Sequence, residues 1–259
     1  MAHDFSNLNN KYTYAERGVN KTWTNFILEK INLKMKRVAD IGCGGGIYTK
    51  KIAQHGPLSV TGIDSSSRML EAARSRNNDD KIKYLLGDAE NLTSLKDGEF
   101  DIVLERALIH HLQSLKNNFI EVKRILNSES GVFIIQDRTP EDCLLEGTPT
   151  HIRGYFFEKF PFLAQEEVNR RFSNTTVKRS LADAGFKKIS SYKLWEIRSI
   201  YNDAQSLKED LSSRRGRSIL HWLNEEQLNE LINFIQIKLP QDSEKIIEKD
   251  RWTVWIANS

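Results

Sequence analysis

Hydrophobic positions in the first half of the chain form short apolar runs separated by stretches with helical spacing. The runs RVADIG (37–42) and LSVTGID (58–64) are followed by IYTKKIAQHG and SRMLEAARSR, in which apolar residues recur every three to four positions. The runs IKYLLGD, FDIVLERA and GVFIIQD continue this rhythm, with LKNNFIEVKRILN as a further helix. Strands that alternate with helices predict right-handed β-α-β crossovers and a parallel sheet, whose ligands bind at the carboxyl ends of the strands.

The second half has a less regular pattern. NTTVKRSLADAGF predicts another crossover helix, and KKISSYKLWEI and RWTVWIA predict two more strands. The stretch from Asn202 to Leu239 predicts one long helical segment that Pro240 closes. We therefore predict an α/β, Rossmann-like, doubly wound and mostly parallel seven-stranded sheet. Helices cover both faces, and helical insertions follow strands five and six, at about 138–172 and 200–240.

Composition restricts the class of protein. The chain has 259 residues, 39% hydrophobic and 28% charged, with a formal net charge of +3, which is typical of a soluble globular surface and not of a nucleic-acid coat. Its two cysteines, Cys43 and Cys143, do not form the framework of a secreted protein. The polar amino-terminal stretch has no apolar signal core, and no long apolar run follows. We expect a cytoplasmic protein without a membrane span.

The segment VADIGCGGGIYTK (38–50) combines a glycine-rich turn with a carboxylate at the end of a strand. Glycines 42, 44, 45 and 46 allow a ligand to approach the backbone closely. The dinucleotide fingerprint G-x-G-x-x-G begun at Gly42 fails, because position 47 is Ile47. Asp40 would repel a pyrophosphate on the following helix and would attract a cation instead. The turn therefore favours a positively charged ligand over a dinucleotide.

In its strand-loop-helix context, VADIGCGGG resembles the first motif of the class I S-adenosylmethionine-dependent methyltransferases, especially the bacterial small-molecule methyltransferases. The resemblance covers the whole chain and is firmest from Arg37 to Gln136. S-adenosylmethionine is a cation without phosphate, so it fits beside Asp40. The resemblance implies that Asp40, Gly42 and Gly44 hold its methionine part.

Two further strand ends carry acidic residues. The Asp64 carboxylate can accept hydrogen bonds from both ribose hydroxyls, although it could instead cap the helix that begins near Arg68. The resemblance adds Ser65 as a neighbour of the adenine ring. It also implies that Asp88 accepts from the adenine amino group and that the Ala89 amide donates to a ring nitrogen. An ordinary turn at Asp88 is the alternative.

The segment FDIVLERALIHHL (100–112) resembles the motif beside the methyl group. Glu105, Arg106 and Ala107 would lie along the methionine part of the cofactor. Methyl transfer is an in-line displacement that proximity and alignment can largely drive, so a base is optional. His111 is the best candidate for such a base, and His110 is the second. Alternatively, His111 fixes the loop and His110 is a packing or solvated residue, and we expect no metal at this pair.

Two other groups of candidate residues lie outside these motifs. Tyr14 and Arg17 have the spacing of one helix face, and the resemblance suggests that they contact the methionine carboxylate; an exposed helix start is the alternative. The acceptor would contact the two insertions, where we single out Arg153, Tyr155, Arg217 and His221. Aromatic side chains there could instead form a core, and the arginines a solvated face.

These observations predict a single domain over 1–259, with a helical lead (1–34), a cofactor-binding core (35–137) and a substrate-side half (138–259). The function that they predict is methyl transfer from S-adenosylmethionine to a small-molecule acceptor, by a monomer or homodimer that binds neither nucleic acid nor membrane. The alternatives are an RNA methyltransferase that uses the basic segment 214–217, a nicotinamide-dependent oxidoreductase, and a non-catalytic S-adenosylmethionine-binding module.

Overall fold

The computed structural model describes residues 19–240 and 245–259 of the chain. The strands are β1 (Arg37–Ile41), β2 (Ser59–Asp64), β3 (Ile82–Leu86), β4 (Ile102–Arg106), β5 (Val132–Asp137), β6 (Lys187–Tyr201) and β7 (Ile246–Asn258). The α-helices are α1 (Lys21–Lys30), α2 (Ile47–Ala53), α3 (Ser67–Arg76), α4 (Leu115–Ile125), α5 (Pro140–Cys143), α6 (Ile152–Lys159), α7 (Phe162–Asn169), α8 (Asn174–Asp183), α9 (Ala204–Ser212) and α10 (Glu225–Lys238). Among the described residues, 3₁₀ turns lie at Ile109–His111 and Ser218–Trp222.

The strands form one seven-stranded sheet in the order β3-β2-β1-β4-β5-β7-β6. Strands β1 to β5 pair in parallel, whereas β7 is antiparallel to β5. The order reverses at β1, where β2 lies on one side and β4 on the other, so the carboxyl end of β1 is the switch point of the sheet. The mostly parallel, seven-stranded fold confirms the predicted fold class.

Local sequence explains where the elements begin. The central strands are apolar on both faces, as expected of parallel strands covered by helices, and Val38, Val103 and Phe133 are fully buried. Small polar residues precede most of the described helices and accept hydrogen bonds from the first turn. The Ser66 hydroxyl accepts from the Met69 amide at the start of α3, and the Ser114 hydroxyl accepts from the Asn117 amide at the start of α4.

The chain divides into two compact units. The sheet unit contains, among the described residues, 19–137, Ser173–Lys193 and Thr253–Ser259. The helical unit contains Arg138–Phe172 and the described part of Leu194–Trp252. Strands β6 and β7 each belong in part to both units, and both predicted insertions fall in the helical unit. A single domain over the whole chain stays a prediction.

The helical unit has an apolar core of its own. Helices α6, α9 and α10 contribute buried residues to it, among them Phe156, Leu207, Leu231 and Ile235. Buried residues four positions apart, Leu207 and Leu211 in α9 and Leu231 and Ile235 in α10, lie on one face of their helix.

The prediction of one long helix before Pro240 is wrong. Helix α9 ends at Ser212, a 3₁₀ turn follows at Ser218–Trp222, and α10 begins only at Glu225. Arg214 and Gly216 have φ angles of 53° and 62°, and this left-handed backbone stops the helix. Asn224 then starts α10 with a capping box, because its side chain accepts from the Gln227 amide. Within the described part of the chain, no helix combines the length and apolar character needed to cross a membrane.

Candidate functional site

The candidate site lies in the sheet unit, at the carboxyl ends of its parallel strands. The strand register pairs Ile41 with both Ile63 and Glu105, and Arg106 with Gln136. The chain segments that leave β1, β2, β4 and β5 therefore start from one edge of the sheet. The predicted cofactor residues from Asp40 to Ala107 lie in the last residues of β1, β2 and β4 or directly after a strand end, including that of β3.

The glycine turn after β1 has the backbone that its sequence predicts. Gly42, Gly44 and Gly46 have φ angles of 71°, 52° and 75°, a region that favours glycine. A Cβ added to Gly42 would lie 2.9 Å from the Leu108 side chain, so that position is also closely packed. The amides of Gly42 and Cys43 donate to the Ile63 carbonyl at 2.7 and 3.0 Å, which ties the turn to β2.

Asp40 lies beneath this turn and is only 2% exposed. Its Oδ2 accepts from the Thr49 hydroxyl of α2 at 2.6 Å. Burial raises the pKa of the Asp40 carboxyl to about 7, and the Thr49 hydrogen bond opposes part of this increase. Arg106 also favours the ionised form. The carboxyl predicted at this strand end is therefore buried beneath the turn, and near neutral pH its negative charge depends on its surroundings.

Asp64 fixes the glycine turn. Its Oδ2 accepts from the Gly44 amide at 2.8 Å and its Oδ1 accepts from the Ser66 amide at 2.9 Å. Burial raises the pKa of Asp64, and these two amides oppose the shift. The alternative that Asp64 is the helix cap is wrong, because Ser66 is the N-cap of α3. Ser65 lies between them and is exposed.

The loop after β3 carries the two residues assigned to adenine. Asp88 is exposed and its Oδ1 accepts from the Glu90 amide at 2.9 Å, which forms a tight turn. Ala89 is buried, and its carbonyl accepts from the Asn118 side chain of α4 at 3.0 Å. The same Asn118 nitrogen donates to Glu105 Oε1 at 2.8 Å. Sequence reasoning missed Asn118, since its burial depends on the packing of α4 against the sheet.

Glu105 and Arg106 point into different surroundings. Glu105 is fully buried, and burial raises its pKa to about 8, an effect that the Asn118 hydrogen bond opposes and the nearby Asp137 charge increases. The Arg106 guanidinium lies 4.3 Å from the centre of the Tyr48 ring, in a cation–π contact. Ala107 follows with a φ angle of 53°, so the chain turns sharply as it leaves β4.

The two histidines have different surroundings. His110 Nδ1 lies 2.7 Å from Oδ2 of the buried Asp137, at the end of β5, and the His110 amide donates to the same oxygen at 3.3 Å. His111 is exposed, and its ring centre lies 3.9 Å from that of His110. The histidine–carboxylate pair is thus formed by His110, the second candidate for the base, and not by His111. Sequence reasoning missed Asp137, although the run VFIIQD ends in an acidic residue as the earlier strands do.

The predicted acceptor residues lie in the helical unit. The buried Arg217 donates from Nη1 and Nη2 to the Glu248 carboxylate at 2.7 Å each, and from Nη2 to Asp210 at 2.7 Å. The buried Arg153 forms ion pairs with Glu167 at 3.3 Å and Asp250 at 3.7 Å.

The other two acceptor candidates differ in exposure. The buried Tyr155 packs edge-on against Phe234 with ring centres 6.2 Å apart, whereas His221 is exposed. Tyr14 and Arg17, assigned to the methionine carboxylate, lie outside the described residues.

Comparison with known proteins agrees with this arrangement. Residues 39–135 match a family model described as a methyltransferase domain. The ubiquinone biosynthesis O-methyltransferase of Coxiella burnetii is 36% identical over 97 residues, which are 36% of this chain and 40% of that protein. The enzyme of the same name from Pseudomonas aeruginosa is 32% identical over 118 residues, 45% of this chain and 50% of that protein. The chain thus matches half or less of these relatives' length.

Solved structures share the fold over most of the chain. An S-adenosylmethionine-dependent methyltransferase from Mesorhizobium loti has a TM-score of 0.53 at 18% identity and covers 92% of this chain and 97% of its own. Phosphoethanolamine N-methyltransferase 2 of Haemonchus contortus, in complex with phosphomonomethylethanolamine and S-adenosylhomocysteine, has a TM-score of 0.56 at 18% identity, over 92% of this chain and 52% of its own. Residues 39–135 therefore resemble a methyltransferase domain in sequence, and the sheet order and the glycine turn agree with that resemblance.

Proposed function

We propose that the chain transfers the methyl group of S-adenosylmethionine to a small-molecule acceptor, with His110 as the base. The observation that carries the proposal is the placement of Asp40, Asp64 and the His110–Asp137 pair along one edge of the sheet. The first two residues supply negative charge and hydrogen-bond acceptors for a cationic nucleoside. The pair supplies a group that can accept a proton.

The residues present fit the cofactor. Asp40 is buried with a raised pKa, so a positive charge beside it favours its ionised form. We assign Asp40, Gly42 and Gly44 to the methionine part, with Arg106 beside it and Tyr14 and Arg17 toward its carboxylate. The Asp64 carboxylate keeps acceptor capacity for the ribose hydroxyls, since each oxygen can accept more than the one amide recorded. Ser65, Asp88 and Ala89 are assigned to the adenine.

The chain's own contribution to the reaction is alignment and proton removal. When bound, S-adenosylmethionine supplies an electrophilic methyl group on a good leaving group. Asp137 at His110 Nδ1 favours the tautomer in which Nδ1 carries the proton and Nε2 carries the lone pair. His110 Nε2 then accepts the proton that an acceptor hydroxyl loses as its oxygen bonds to carbon. Asp137 stabilises the resulting imidazolium, as in other histidine–carboxylate pairs.

Contacts in the helical unit weaken the case for an RNA acceptor, and the named relatives favour a small molecule. The basic segment 214–217 was the feature that favoured RNA, yet Arg217 is buried in ion pairs and Arg214 contacts Glu225 at 2.9 Å. An acceptor anion would have to displace Asp210 or Glu248 to reach Arg217. The relatives named as O-methyltransferases agree with an oxygen acceptor. Acceptor contacts by Arg153, Tyr155, Arg217 and His221 stay proposals, as do a cytoplasmic location and a monomeric or homodimeric state.

The test is transfer of a labelled methyl group from S-adenosylmethionine into a cell extract, which is then separated into small-molecule, RNA and protein fractions. We expect label in the small-molecule fraction, where mass measurement identifies the product. Label in RNA or protein contradicts the proposed acceptor class. Binding of the cofactor without transfer into any fraction supports the binding-module alternative.

The same assay separates the two histidines. We expect His110→Ala to reduce transfer about 100-fold or more, the lower end of the range for a lost general base, with little change in cofactor affinity. His111→Ala is the matched control and should retain most of the transfer. Loss of transfer in the His111 variant alone would assign the base to His111.

A further inference from the structure

The loop after β3 is connected to the segment that carries His110. Glu90 Oε1 accepts from the Gln113 amide at 2.5 Å and from the Ser114 amide at 2.9 Å. These two residues lie between the 3₁₀ turn of the histidines and the first turn of α4. One carboxylate thus joins two parts of the chain that are 23 and 24 residues apart.

Glu90 belongs to the same turn as the residues assigned to adenine. Its amide donates to Asp88 Oδ1 at 2.9 Å, and the Asn91 amide donates to the Asp88 carbonyl at 3.0 Å. Ala89 and Asp88 immediately precede it. A displacement of this turn therefore moves the Glu90 backbone as well.

The loop has two further attachments to the middle of α4. Asn118 donates to the Ala89 carbonyl at 3.0 Å, and Glu121 Oε2 accepts from the Leu92 amide at 2.7 Å. These contacts hold the loop independently of Glu90. The Glu90 carboxylate therefore extends from a loop whose backbone is also anchored to α4.

The histidine segment is held by the buried Ile109 side chain and by contacts on two sides. Ile109–His111 is a single 3₁₀ turn, and so short an element has little stability of its own. On one side Asp137 holds the His110 amide and ring, and on the other side Glu90 holds the amides of Gln113 and Ser114. The Glu90 contact lies at the positive end of the 11-residue α4, which strengthens a bond to a carboxylate.

We propose that Glu90 is a positioning residue that couples the adenine loop to His110. An adenosine ligand that orders the loop thereby also holds the His110 imidazole in the position set by Asp137. The role of the ligand rests on the proposed function, whereas the tether between loop and histidine segment is a property of the chain's own contacts. The tether implies that a ligand bound at the adenine loop further restricts the motion of the His110 segment that the loop already contacts.

The test compares Glu90→Ala and Glu90→Gln with Glu121→Ala, which removes a carboxylate-to-amide contact from the same loop together with the ion pair between Glu121 and Arg124. The readout is hydrogen exchange at the amides of His110, His111 and Leu112, none of which Glu90 contacts itself, together with the NMR signals of the His110 ring. Both are measured in the full chain, first alone and then with S-adenosylhomocysteine, whose binding is followed by calorimetry.

We expect Glu90→Ala to speed exchange at these three amides at least about tenfold, because two hydrogen bonds to a charged group are lost, and to shift the ring signals. S-adenosylhomocysteine should slow this exchange in the wild type but no longer in that variant. Glu90→Gln should keep part of the wild-type protection of these amides, because glutamine retains an acceptor oxygen. Glu121→Ala should leave the exchange rates of the three amides unchanged.

Equal exchange in the wild type and Glu90→Ala would overturn the proposal, as would equal acceleration by Glu121→Ala. A wild type that gives no binding heat with S-adenosylhomocysteine would contradict the proposed function. The measurement without ligand still decides whether Glu90 positions the histidine segment in that case.

Discussion

The buried Asp40 is the residue at which charge and ligand binding are most directly linked. Its carboxyl has no room for a water shell and its pKa is raised to about 7 by burial. A neighbouring positive charge offsets the cost of ionisation, because the Coulomb interaction is strong where solvent is excluded. Binding of a cation should therefore bring Asp40 into its charged form and release a proton.

We predict that binding of S-adenosylmethionine releases protons near pH 7 and becomes tighter between pH 6 and pH 8. Calorimetry in buffers with different ionisation enthalpies measures this release directly. Asp40→Asn should abolish it and weaken binding by roughly 1 to 2 kcal/mol, the order of a lost hydrogen bond to a charged group. Binding heats that do not depend on the buffer in the wild type would contradict this role of Asp40.

Asp64 has two functions that one substitution tests together. It fixes the Gly44 amide and is assigned to the ribose, so Asp64→Ala should weaken cofactor binding by roughly 1 to 3 kcal/mol. The matched control is Asp101→Ala. Asp101 precedes β4 and accepts from the Arg37 amide at 2.8 Å, at the amino end of the strands. The control should lower the free energy of unfolding and leave calorimetric affinity unchanged, and an unaltered affinity in Asp64→Ala would remove Asp64 from the site.

At the scale of elements, the glycine turn is the feature whose backbone is most constrained. Gly42 and Gly98 have similar φ angles, 71° and 64°, but different surroundings. A Cβ at Gly42 would meet Leu108 at 2.9 Å, whereas nothing lies within 4 Å of one at Gly98. Alanine substitutions at these two glycines therefore separate the free-energy cost of left-handed backbone from that of close packing.

We expect Gly98→Ala to lower the free energy of unfolding by about 1 to 2 kcal/mol, from backbone strain alone, and to leave cofactor affinity unchanged. Gly42→Ala should lower the free energy of unfolding, measured by urea denaturation, more than Gly98→Ala does. It should also weaken cofactor binding. Comparable effects of both substitutions on stability and affinity would show that the Leu108 contact has no part in shaping the turn.

The elements that sequence reasoning predicted correctly are those specified by local pattern. The strand β1, its glycine turn and the acidic strand ends at Asp40 and Asp64 follow from apolar runs that stop at glycine or aspartate. The break after α9 was missed because Arg214 adopts left-handed backbone, for which an arginine gives no local signal. The His110–Asp137 pair was missed for another reason, since it joins residues 27 positions apart through the pairing of β4 with β5.

At the scale of the whole molecule, the two units bury carboxyl groups whose pKa values shift in opposite directions. In the sheet unit, burial raises the pKa of Asp40 to about 7 and that of Glu105 to about 8. In the helical unit burial also acts to raise the pKa of Glu167, Glu248 and Asp250, but the surrounding arginines hold all three below their usual range. Each unit therefore has its own dependence of stability on pH.

The direction in which the stability of each unit changes with pH follows from the difference between its folded and unfolded pKa values. The unfolded carboxyl groups have pKa values of about 4. A carboxyl with a raised folded pKa binds more protons when folded, so the sheet unit loses stability as pH rises from about 4 to about 8. A carboxyl with a lowered folded pKa gives stability that is complete above about pH 4. The helical unit loses that contribution as pH falls below this value.

We predict that segment-resolved hydrogen exchange, corrected for intrinsic rates, detects this difference. Between pH 5 and pH 3, protection should fall first in the helical unit, including α6 and α10. Between pH 5 and pH 8.5, it should fall in β1 and β4 of the sheet unit. Glu105→Gln mimics the protonated side chain while keeping an acceptor for Asn118, so it should raise protection of the sheet unit at pH 8.5 more than at pH 5. Parallel loss of protection in both units at both extremes would mean that these buried carboxyls do not set the pH response, because their opposite shifts require opposite slopes.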